Sequence, residues 1–499
     1  MPHSTSRALL GVALLFAAAC DGDPDPADAS SPPADGAVSL DGGGGRRDAG
    51  PDFDGGPDYD AGPDTRDAGP GTPPSSSCAD RTAAIVAATG RTITVSPAGD
   101  GQVMVDGATR SLREVVSSAA EGDTILLEDG TYTFTHDGSY TGLYFTTPNV
   151  TLRSASGDAS RVILDSAYGD QGGSTAPITV DAPGVVLSGF TVQRSIFHLI
   201  HLWANGDRAV IHDVRLVDGG QQFLKSSPGD GANVDEVEVS CSTFSMTAAG
   251  RDNVWGYGPT DGGTTCYTGG IDTHDARDWH VHDSRFEGIY CDATGVARPA
   301  HGQKASDRGG QTYTGGLAEH AIHMWDSEMG TGHVLERNVV IDCARGIGIG
   351  LTEDVYGTVI RNNTVFSRHA GSREHDVGII VERGHDVQIV NNTIFFSSPD
   401  GYSSAIEYRW GSSNVDIRNN LTNRRLRARD GADATLGANV EDAMASWFVD
   451  AAAGDLHLAM CDVPSVAGAG EALTDVPDDL DGEPRGAAHD VGADQCTAP

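Results

Sequence analysis

Basic residues are scarce in this chain. The 499 residues include 33 Lys and Arg against 71 Asp and Glu, which gives a formal net charge of −38. Because a phosphate backbone attracts basic side chains, this balance excludes nucleic acid as the general partner, although it leaves room for a local basic pocket. Lys225 is the only lysine of the repeats described below that lies outside their two long insertions, so its position is informative.

The sequence also lacks an apolar run long enough to span a bilayer, which takes about 20 residues. The shorter run ALLGVALLFAAA (8–19) predicts that residues 1–20 are an export signal. The run ends at Cys20 and resembles a bacterial lipoprotein signal, with Ala17 where Leu is usual. Cleavage as an ordinary secretory signal near Ala19 is the alternative. Both predict export to the cell envelope, and lipidation of Cys20 would anchor the protein to the outer membrane or the cell surface.

Residues 21–77 lack the composition of a folded core. They contain 13 Asp, no Glu and three Arg among many Gly, Pro and Ala. Such a segment cannot bury enough apolar surface to offset its ordering entropy, so we predict a disordered linker. Repulsion between like charges extends such linkers. This one is predicted to hold a folded domain away from a membrane.

Cysteine pairs at CxxC spacing are absent, which argues against a zinc ribbon. Seven cysteines follow Cys20, at positions 78, 241, 266, 291, 343, 461 and 496. Export permits disulfides. We predict the pair Cys241–Cys266, which would close an insertion, and the pair Cys461–Cys496, which would close the C-terminus.

Apolar residues recur with a period typical of a solenoid. Nearer the N-terminus than these repeats, Ser111 and Glu114 predict a capping box at the start of a short amphipathic helix. Successive apolar anchors are mostly 24 to 29 residues apart. The anchors are Leu187, Ile211, Val239, Val281, Leu335, Ile360, Ile389 and Ile417. This period, with alternation at every second residue, indicates repeats built of strands.

The predicted fold is therefore all-β, a right-handed parallel β-helix with a short N-terminal capping helix. It is expected to span residues 78–435, followed by a C-terminal capping segment over 436–499. Two long loops are inserted near 245–270 and 288–319. Polar residues recur just after the anchors and should stack into a ladder of bonded amides along one corner. They are Asp213, Asp283, Asn362, Asn391 and Asn419, and one position later Asn338, Asn363, Asn392 and Asn420.

A second strand precedes each anchor strand, as in LIHLW (199–203), FLKSS (223–227) and AIHMW (321–325). Because side chains alternate between faces, each inward Ile or Leu is followed by an outward residue. The outward residues of the first four such strands are His201, Lys225, Asp272 and His323, and two positions further on lie Trp203, Ser227, His274 and Trp325. Neighbouring strands lie about 4.8 Å apart, so these residues should form two adjoining lines on the floor of a groove.

The titratable groups of this floor predict acid–base chemistry on an extended polymer whose sugar rings stack on aromatic side chains. We assign Lys225, His274 and His323 to proton transfer, since a Lys or His can remove a proton alpha to a uronate carboxyl group while another group protonates the leaving oxygen. The candidates for substrate binding are His201, Trp203, Trp325, Glu319 and Arg345. Asp272 is expected to bind a metal, with Ca²⁺ as the candidate cofactor, to orient a histidine, or to be a polar turn residue.

The stretch GLAEHAIHMW, residues 316–325, holds a glutamate and two histidines within five positions. On a helix, His320 and His323 would share a face and suggest a metal pair. On a strand they would point to opposite sides, so the β-helix prediction places His320 toward the core or a corner. It leaves Glu319, His323 and Trp325 on the outer face.

Three features resemble the pectate-lyase-like superfamily of parallel β-helix proteins. They are the segment GDTILLEDGTY (122–132), the Asn-containing repeats and the ending DLDGEPRGAAHDVGAD (479–494), which is similar to the ends of chondroitinase-B-like and alginate-lyase-like members. The resemblance spans residues 92–494 and implies the fold. Chondroitinase-B-like lyases use a Lys base, an Arg acid and a Ca²⁺ site. Lys225 can take the first role, but no Arg and no calcium ligands match theirs residue by residue.

These features predict an exported, lipid-anchored protein that acts on an acidic, uronate-containing polysaccharide, as a lyase that cleaves by β-elimination. One alternative is a glycoside hydrolase on the same scaffold, with Asp272 and Glu319 as the carboxylate pair. Another is a non-catalytic surface protein that binds glycans or has a structural role, which the outward Gly348, Gly350 and Ile380 favour. We expect a monomer without a nucleic-acid partner.

Overall fold

The computed structural model describes most of the chain from residue 76 onward. It covers residues 76–87, 90–99, 101–134, 142–169, 176–229, 232–251, 254, 266–291, 295–296, 312–313, 317–325, 327, 332–370 and 374–496. The predicted signal peptide with Cys20, nearly all of the predicted linker and most of both insertions lie outside the described residues. No helix in the described part is long and apolar enough to cross a membrane.

Three long sheets of mainly parallel strands surround one apolar core, and successive coils of the chain contribute one strand to each sheet in turn. Sheet 1 has 14 strands among the described residues. The first three strands in the order below pair antiparallel with one another in sequence, and the other pairs are parallel. In stacking order the strands are Ala108–Ser111, Gln102–Val105, Thr92–Gly99, Thr124–Leu127, Thr151–Ser154, Val186–Ser188, Val210–His212, Glu238–Ser240, His280–His282, Val334–Glu336, Val359–Arg361, Gln388–Val390, Val415–Arg418 and Ala434–Gly437.

Sheets 2 and 3 each have ten described strands. Sheet 2 consists of Gly130–Thr133, Val162–Asp165, Thr191–Ser195, Arg215–Gly219, Thr243–Ser245, Arg285–Glu287, Val339–Ile341, Thr364–Ser367, Thr393–Phe396 and Leu421–Thr422. Sheet 3 consists of Leu143–Phe145, Ile178–Val180, Ile200–Trp203, Leu224–Ser227, Ile271–Thr273, His320–Met324, Arg345–Ile349, Ile379–Glu382, Ser404–Arg409 and Arg425–Ala428.

Short elements complete the described structure. The helices are α1 (Ser76–Val86), α2 (Leu112–Ser117) and α3 (Ala248–Arg251), with a 3₁₀ turn at Ala445–Trp447. Three two-stranded sheets pair Gly295–Val296 with Thr312–Tyr313, Val355–Tyr356 with Gly384–His385, and Phe448–Asp450 with Asp455–Leu458.

The predicted repeat is confirmed residue by residue. The eight anchors pair in register through sheet 1, and each is at most 1% exposed. The apolar residues that recur five positions after the anchors are also in register, in sheet 2, where Phe244 stacks on Phe286 with ring centroids 4.5 Å apart. They are Val192, Leu216, Phe244, Phe286, Val340, Val365 and Ile394. The inward residues of sheet 3, from Ile200 to Ile406, are in register and fully buried. The period therefore fixes which face of each strand meets the core.

The predicted amide ladder runs along the corner between sheets 1 and 2. Each Asn side chain donates from Nδ2 to Oδ1 of the next at 3.0 Å, in the order Asn338, Asn363, Asn392, Asn420 and Asn439. The last member was not predicted, because the strand before it, Ala434–Gly437, was not recognised as part of the repeat. The preceding residues Asn362, Asn391 and Asn419 have φ near +55°. Asn adopts this left-handed conformation more readily than most residues.

Helix α1 begins at Ser76, two residues before the predicted start of the folded part, and packs on the outer side of sheet 1. Arg81 donates two hydrogen bonds to Glu238, at 2.8 and 2.5 Å, and Thr82 Oγ1 lies 2.8 Å from His212 Nε2. A disulfide joins Cys78 to Cys241. The helix is thus held to the sheet by a covalent bond and by charge. The capping box of Ser111 and Glu114 at α2 is confirmed.

One predicted disulfide is confirmed and the other is wrong. Cys461 pairs with Cys496 as predicted. Cys241 bonds to Cys78 instead of Cys266, and Cys266 bonds to Cys291. The error arose because α1 returns to the sheet across 163 residues, a contact without a local sequence signal.

The C-terminal segment packs against sheet 2 and the corner between sheets 1 and 2, where Trp447, Phe448 and Leu456 share an apolar cluster with Phe366 and Phe395. Its His457 lies between two carboxylates, with Nδ1 2.5 Å from Asp455 Oδ1 and Nε2 3.3 Å from Asp481 Oδ2. The contact with Asp481 is the main reason why the pKa of His457 is raised to about 10. Burial raises the pKa of Asp494 to about 6.

These two shifts predict that the C-terminal segment loses stability as pH rises. A group whose pKa is higher in the folded state than in the unfolded state contributes its full stabilisation at pH values below the unfolded-state pKa. That contribution is lost as the pH rises through the folded-state pKa. For Asp494 the loss should extend to about pH 6 and for His457 to about pH 10. Hydrogen exchange at strand Asp455–Leu458 should therefore accelerate more steeply between pH 7 and 10 than base catalysis alone requires. His457→Gln should remove this excess, and an unchanged profile in that variant would contradict the assignment.

Candidate functional site

The outer face of sheet 3 brings most of the predicted site residues together. Lys225, Asp272 and His323 pair in register on three neighbouring strands, and His201 pairs with Lys225 from the strand of the preceding coil. The inward Ile or Leu before each of them fixes this register, so a one-residue slip would bury the whole line. The predicted outward line is confirmed. His274 and Trp325 lie two positions further along their own chain segments.

Lys225 and Asp272 form a buried ion pair at the centre of this face. Their side chains are only 10% and 7% exposed, and the ammonium contacts Asp272 Oδ2. The second oxygen, Oδ1, lies 3.2 Å from His323 Nδ1, and His274 Nε2 lies 3.5 Å from Oδ2. Burial by itself raises the pKa of Asp272, but Lys225 and the two histidines outweigh it and hold the pKa well below its usual range. Asp272 is therefore a permanent anion.

His323 is buried, and each of its ring nitrogens faces an oxygen atom. Its side chain is 2% exposed, and Nε2–H donates to the carbonyl oxygen of Gly350 at 2.8 Å. Nδ1 faces Asp272. Burial by itself lowers the pKa of His323, but Asp272 outweighs it and the pKa is raised. His323 thus orients Asp272 rather than reaching a bound polymer, and we regard it as a positioning residue.

His201 is the neutral member of the line. Its Nε2 lies 3.0 Å from Ser227 Oγ, and its pKa is lowered well below the usual value, first by burial and then by His198 and Lys225. His198 Nδ1–H donates to Gln222 O at 2.8 Å, and burial lowers its pKa to about 4. A neutral imidazole therefore stands next to an ammonium group, which places a proton acceptor beside a cation.

Two tryptophans border the charged groups. The Trp325 ring stacks on His274 with centroids 5.2 Å apart, and Trp203 meets His201 edge to face at 5.1 Å. Both tryptophans are half-buried. They lie at opposite ends of the line of four coils, which suits sugar rings bound along the sheet.

The structure corrects the predicted orientation of His320. Instead of pointing away from His323, its ring lies 4.6 Å from the His323 ring. His320 is the first residue of its strand, so the corner twist turns its side chain away from strict alternation. The outward Gly348 leaves the space for it, because a Cβ there would lie 2.6 Å from His320 Nε2. Burial is the main reason why the pKa of His320 is well below its usual value, so this imidazole is neutral.

Glu319 and Arg345 lie at the edge of this cluster. Arg345 Nη1 is 3.7 Å from Glu319 Oε2, and its Nε is 3.5 Å from Asp376 Oδ2. Both side chains are about a quarter exposed. Arg345 therefore shares loose contacts between two carboxylates and has room to turn toward a ligand.

The surroundings of Asp272 do not fit calcium. Ca²⁺ takes six to eight oxygen ligands, whereas the contacts of Asp272 given above are to nitrogen atoms. Asp272 is also absent from the two groups of three or more His, Cys, Asp or Glu that cluster at metal-binding distance in the described ranges. Calcium at Asp272 stays a prediction without structural support, and no chemical step below relies on it.

Sequence reasoning missed His198 and wrongly separated His320 from His323. The signal common to both is the pattern His-x-x-His, which occurs as HLIH at 198–201 and as HAIH at 320–323. In both cases the first histidine lies at a corner, and its ring meets that of the second, at 5.4 and 4.6 Å. Corner geometry overrides the period-two rule that hid the pair.

The fold is shared with solved structures. Neither protein-family models nor curated proteins give a match to the chain. The crystal structure of pectate lyase Pel9A superposes with a TM-score of 0.52 at 14% identity, covering 82% of this chain and 97% of the other. An alginate lyase from Paenibacillus sp. str. FPU-7 (TM-score 0.33, 13% identity, 65% and 99% covered) and the A-module of the Azotobacter vinelandii mannuronan C-5 epimerase AlgE4 (0.36, 12%, 66% and 88%) also match. The chain therefore has the fold of a right-handed parallel β-helix, which it shares with this pectate lyase structure.

Proposed function

We propose that the chain is a lyase that cleaves an acidic, uronate-containing polysaccharide by β-elimination. The observation that carries the proposal is the pairing of neutral His201 with cationic Lys225 on one sheet face. The solved structure with the same fold is that of a pectate lyase, and this supports the proposal. Export and a lipid anchor at Cys20 belong to the proposal as well, since an extracellular polymer must meet an exported enzyme.

β-Elimination needs a cation, a base and an acid at one uronate residue. Lys225, held by Asp272, is placed to bind the substrate carboxylate and so acidify the proton on the adjacent carbon. His201 accepts that proton, and the electron pair of the broken C–H bond forms the new C=C bond. The glycosidic C–O bond breaks, and His274, 27% exposed, protonates the leaving oxygen. Each group lies on the outer face of sheet 3.

This assignment differs from the role that the family resemblance implied for Lys225. A base must be free to take up a proton, whereas the Lys225 side chain is occupied by its ion pair with the buried Asp272. We therefore propose the acceptor role for His201 and the electrostatic role for Lys225.

The hydrolase alternative is weaker. A glycosidase needs one carboxylic acid that stays protonated near neutral pH and a second carboxylate across the groove. Asp272 is held ionised by its three nitrogen neighbours. Glu319 Oε2 lies 3.7 Å from Arg345 Nη1. Neither member of the nominated pair is therefore a carboxyl group free of charged partners, as the acid of a glycosidase would need to be.

The non-catalytic alternative rested on the outward Gly348, Gly350 and Ile380, and the structure gives the two glycines another role. Gly348 makes room for the His320 ring, and the carbonyl of Gly350 accepts from His323. A Cβ at Gly350 would lie 1.7 Å from Glu382 O. These glycines support the histidine cluster instead of marking the end of the site.

A panel of uronic-acid polysaccharides tests the proposal. The purified chain and a Lys225→Ala variant are incubated with each polymer, and the ultraviolet absorbance of unsaturated product is followed beside a reducing-end assay. We expect both signals to rise together on at least one polymer with the wild-type chain only. Reducing ends without absorbance would indicate a hydrolase, and binding without either signal would indicate a glycan-binding protein.

Replacement of Trp325 by Ala should weaken glycan binding more than it slows chemistry. An aromatic stacking partner contributes about 0.5–1.5 kcal/mol beyond its buried area, which corresponds to a KM raised roughly 2- to 12-fold at nearly constant kcat. Trp325→Phe keeps a stacking face and should retain most of the affinity. A Trp325→Ala variant with an unchanged KM would remove this residue from the binding surface.

A further inference from the structure

A group of three side chains on the same coil has the composition of a transition-metal site. Glu319, His320 and His323 each offer one ligand atom, and these atoms lie within 4.8 Å of one another. His320 is 5% exposed, yet neither Nδ1 nor Nε2 has a hydrogen-bond partner in the described part of the chain. A buried imidazole with two unmatched nitrogens is costly unless something binds it.

A second buried atom in the same region also lacks a partner. Asp272 Oδ1 has no hydrogen-bond donor among the described residues, although His323 Nδ1 lies 3.2 Å away. The contact of His323 Nε2 with the carbonyl of Gly350 requires a proton on Nε2, so Nδ1 is the nitrogen of His323 that can bind a metal ion. An ion bound there would lie beside the Asp272 carboxylate.

The hydrogen bond from His323 to Gly350 is the outer support that a metal-bound histidine normally has. A ligating imidazole commonly donates its other N–H to a backbone carbonyl, which fixes its tautomer and direction. Gly348 supplies the matching space for the other ring, since any larger residue there would displace His320. These two backbone positions hold both imidazoles at one place.

The ligand types select the metal. Two imidazole nitrogens and one carboxylate suit zinc and its neighbours, whereas Ca²⁺ and Mg²⁺ prefer oxygen ligands alone. Three protein ligands leave one position of a tetrahedral ion open. Arg345 is the only competing cation that contacts Glu319 in the described residues, and its contact of 3.7 Å is loose enough to yield toward Asp376.

We propose that Glu319, His320 and His323 bind one divalent transition-metal ion of the zinc class, with Asp272 beside it as a charge partner. The site adjoins the Lys225–Asp272 pair on the floor of sheet 3. It is independent of the lyase proposal, because metal binding is measured without any polysaccharide.

Metal binding by the whole chain tests the site directly. The chain is treated with a chelator, dialysed and titrated with ZnCl₂ in a calorimeter, and Co²⁺ is added separately to record visible absorption from a nitrogen- and oxygen-bound ion. We expect one Zn²⁺ per chain at this site. Loss of a hydrogen-bond partner outside the ligand shell typically weakens metal affinity by about 10- to 100-fold. Glu319→Gln and His320→Ala each remove a ligand, so each should weaken Zn²⁺ affinity by more than that. Gly348→Ala should weaken it as well, by moving the His320 ring.

Two control variants separate this site from other groups. Asp481→Asn alters the carboxylate cluster formed with Asp479 and Asp494 in the C-terminal segment, and His280→Ala removes a half-exposed histidine on sheet 1. Both should leave the Zn²⁺ affinity unchanged. Absence of binding, or binding that survives Glu319→Gln and His320→Ala, would overturn the proposal. Glu319 is partly exposed, so its variant is expected to fold even if His320→Ala does not.

Discussion

Replacement of Lys225 by Ala is expected to lower polysaccharide cleavage by about 100- to 1,000-fold, the usual effect of removing one group that stabilises developing charge. The same change leaves Asp272 as a buried anion without its closest cation. Breaking a buried ion pair from one side costs roughly 3–5 kcal/mol, and the lower end applies here because His274 and His323 remain near the carboxylate. Initial rates of unsaturated product and urea unfolding measure the two effects on one preparation.

Two further variants separate these effects and test the role of the lysine. Lys225→Met combined with Asp272→Asn removes both charges, so it should regain most of the lost stability while staying inactive. Lys225→Arg keeps the charge but cannot lose a proton. If Lys225 acts as a cation, the arginine variant should retain measurable activity. Its complete inactivity in a stable fold would instead support a lysine base and contradict the assignment of His201.

Replacement of Asn392 by Ala should destabilise the fold by roughly 2–6 kcal/mol, because two buried groups lose partners at about 1–3 kcal/mol each. Asn392 Oδ1 accepts from the backbone N–H of Asn363 at 3.0 Å, and its Nδ2 donates to Ile360 O at 2.9 Å. Asn392 is fully buried in the middle of the ladder. Urea unfolding followed by circular dichroism gives the free energy of unfolding.

Asn205 provides the matched control for this prediction. Like Asn392 it has no left-handed backbone, but its side chain is exposed, and its Nδ2 donates to the Asp181 carboxylate at 2.7 Å. Asn205→Ala should change stability by no more than about 0.5 kcal/mol. Equal losses in the two variants would show that the ladder contributes nothing specific to the stack.

The β-helix could be predicted because its signal is periodic. Each coil repeats an inward Leu, Ile or Val at a fixed distance, so register follows once the period is known. The line of His201, Lys225, Asp272 and His323 followed from the same rule. Prediction from the sequence therefore succeeded for residues in the interior of a strand that have a counterpart in the next coil, but not for His320 at the end of its strand.

The errors lie where the period does not apply. His320 stands at a corner, where backbone twist and the space above Gly348 decide its direction. The Cys78–Cys241 bond depends on α1 returning across more than 150 residues, for which the sequence holds no local signal. The charge states of His201 and Asp272 depend on burial and on neighbours from other coils. These quantities require the three-dimensional arrangement, since no single segment contains them.

The origin of the oxygen at the new chain ends tests the central claim most directly. The chain is incubated with a polysaccharide that it cleaves in heavy-oxygen water, and the fragments are weighed by mass spectrometry. β-Elimination breaks the glycosidic C–O bond without adding water, so we predict unsaturated fragments without solvent oxygen, formed by the wild-type chain and hardly at all by Lys225→Ala. Fragments that carry one heavy oxygen per cleavage would show hydrolysis and contradict the account.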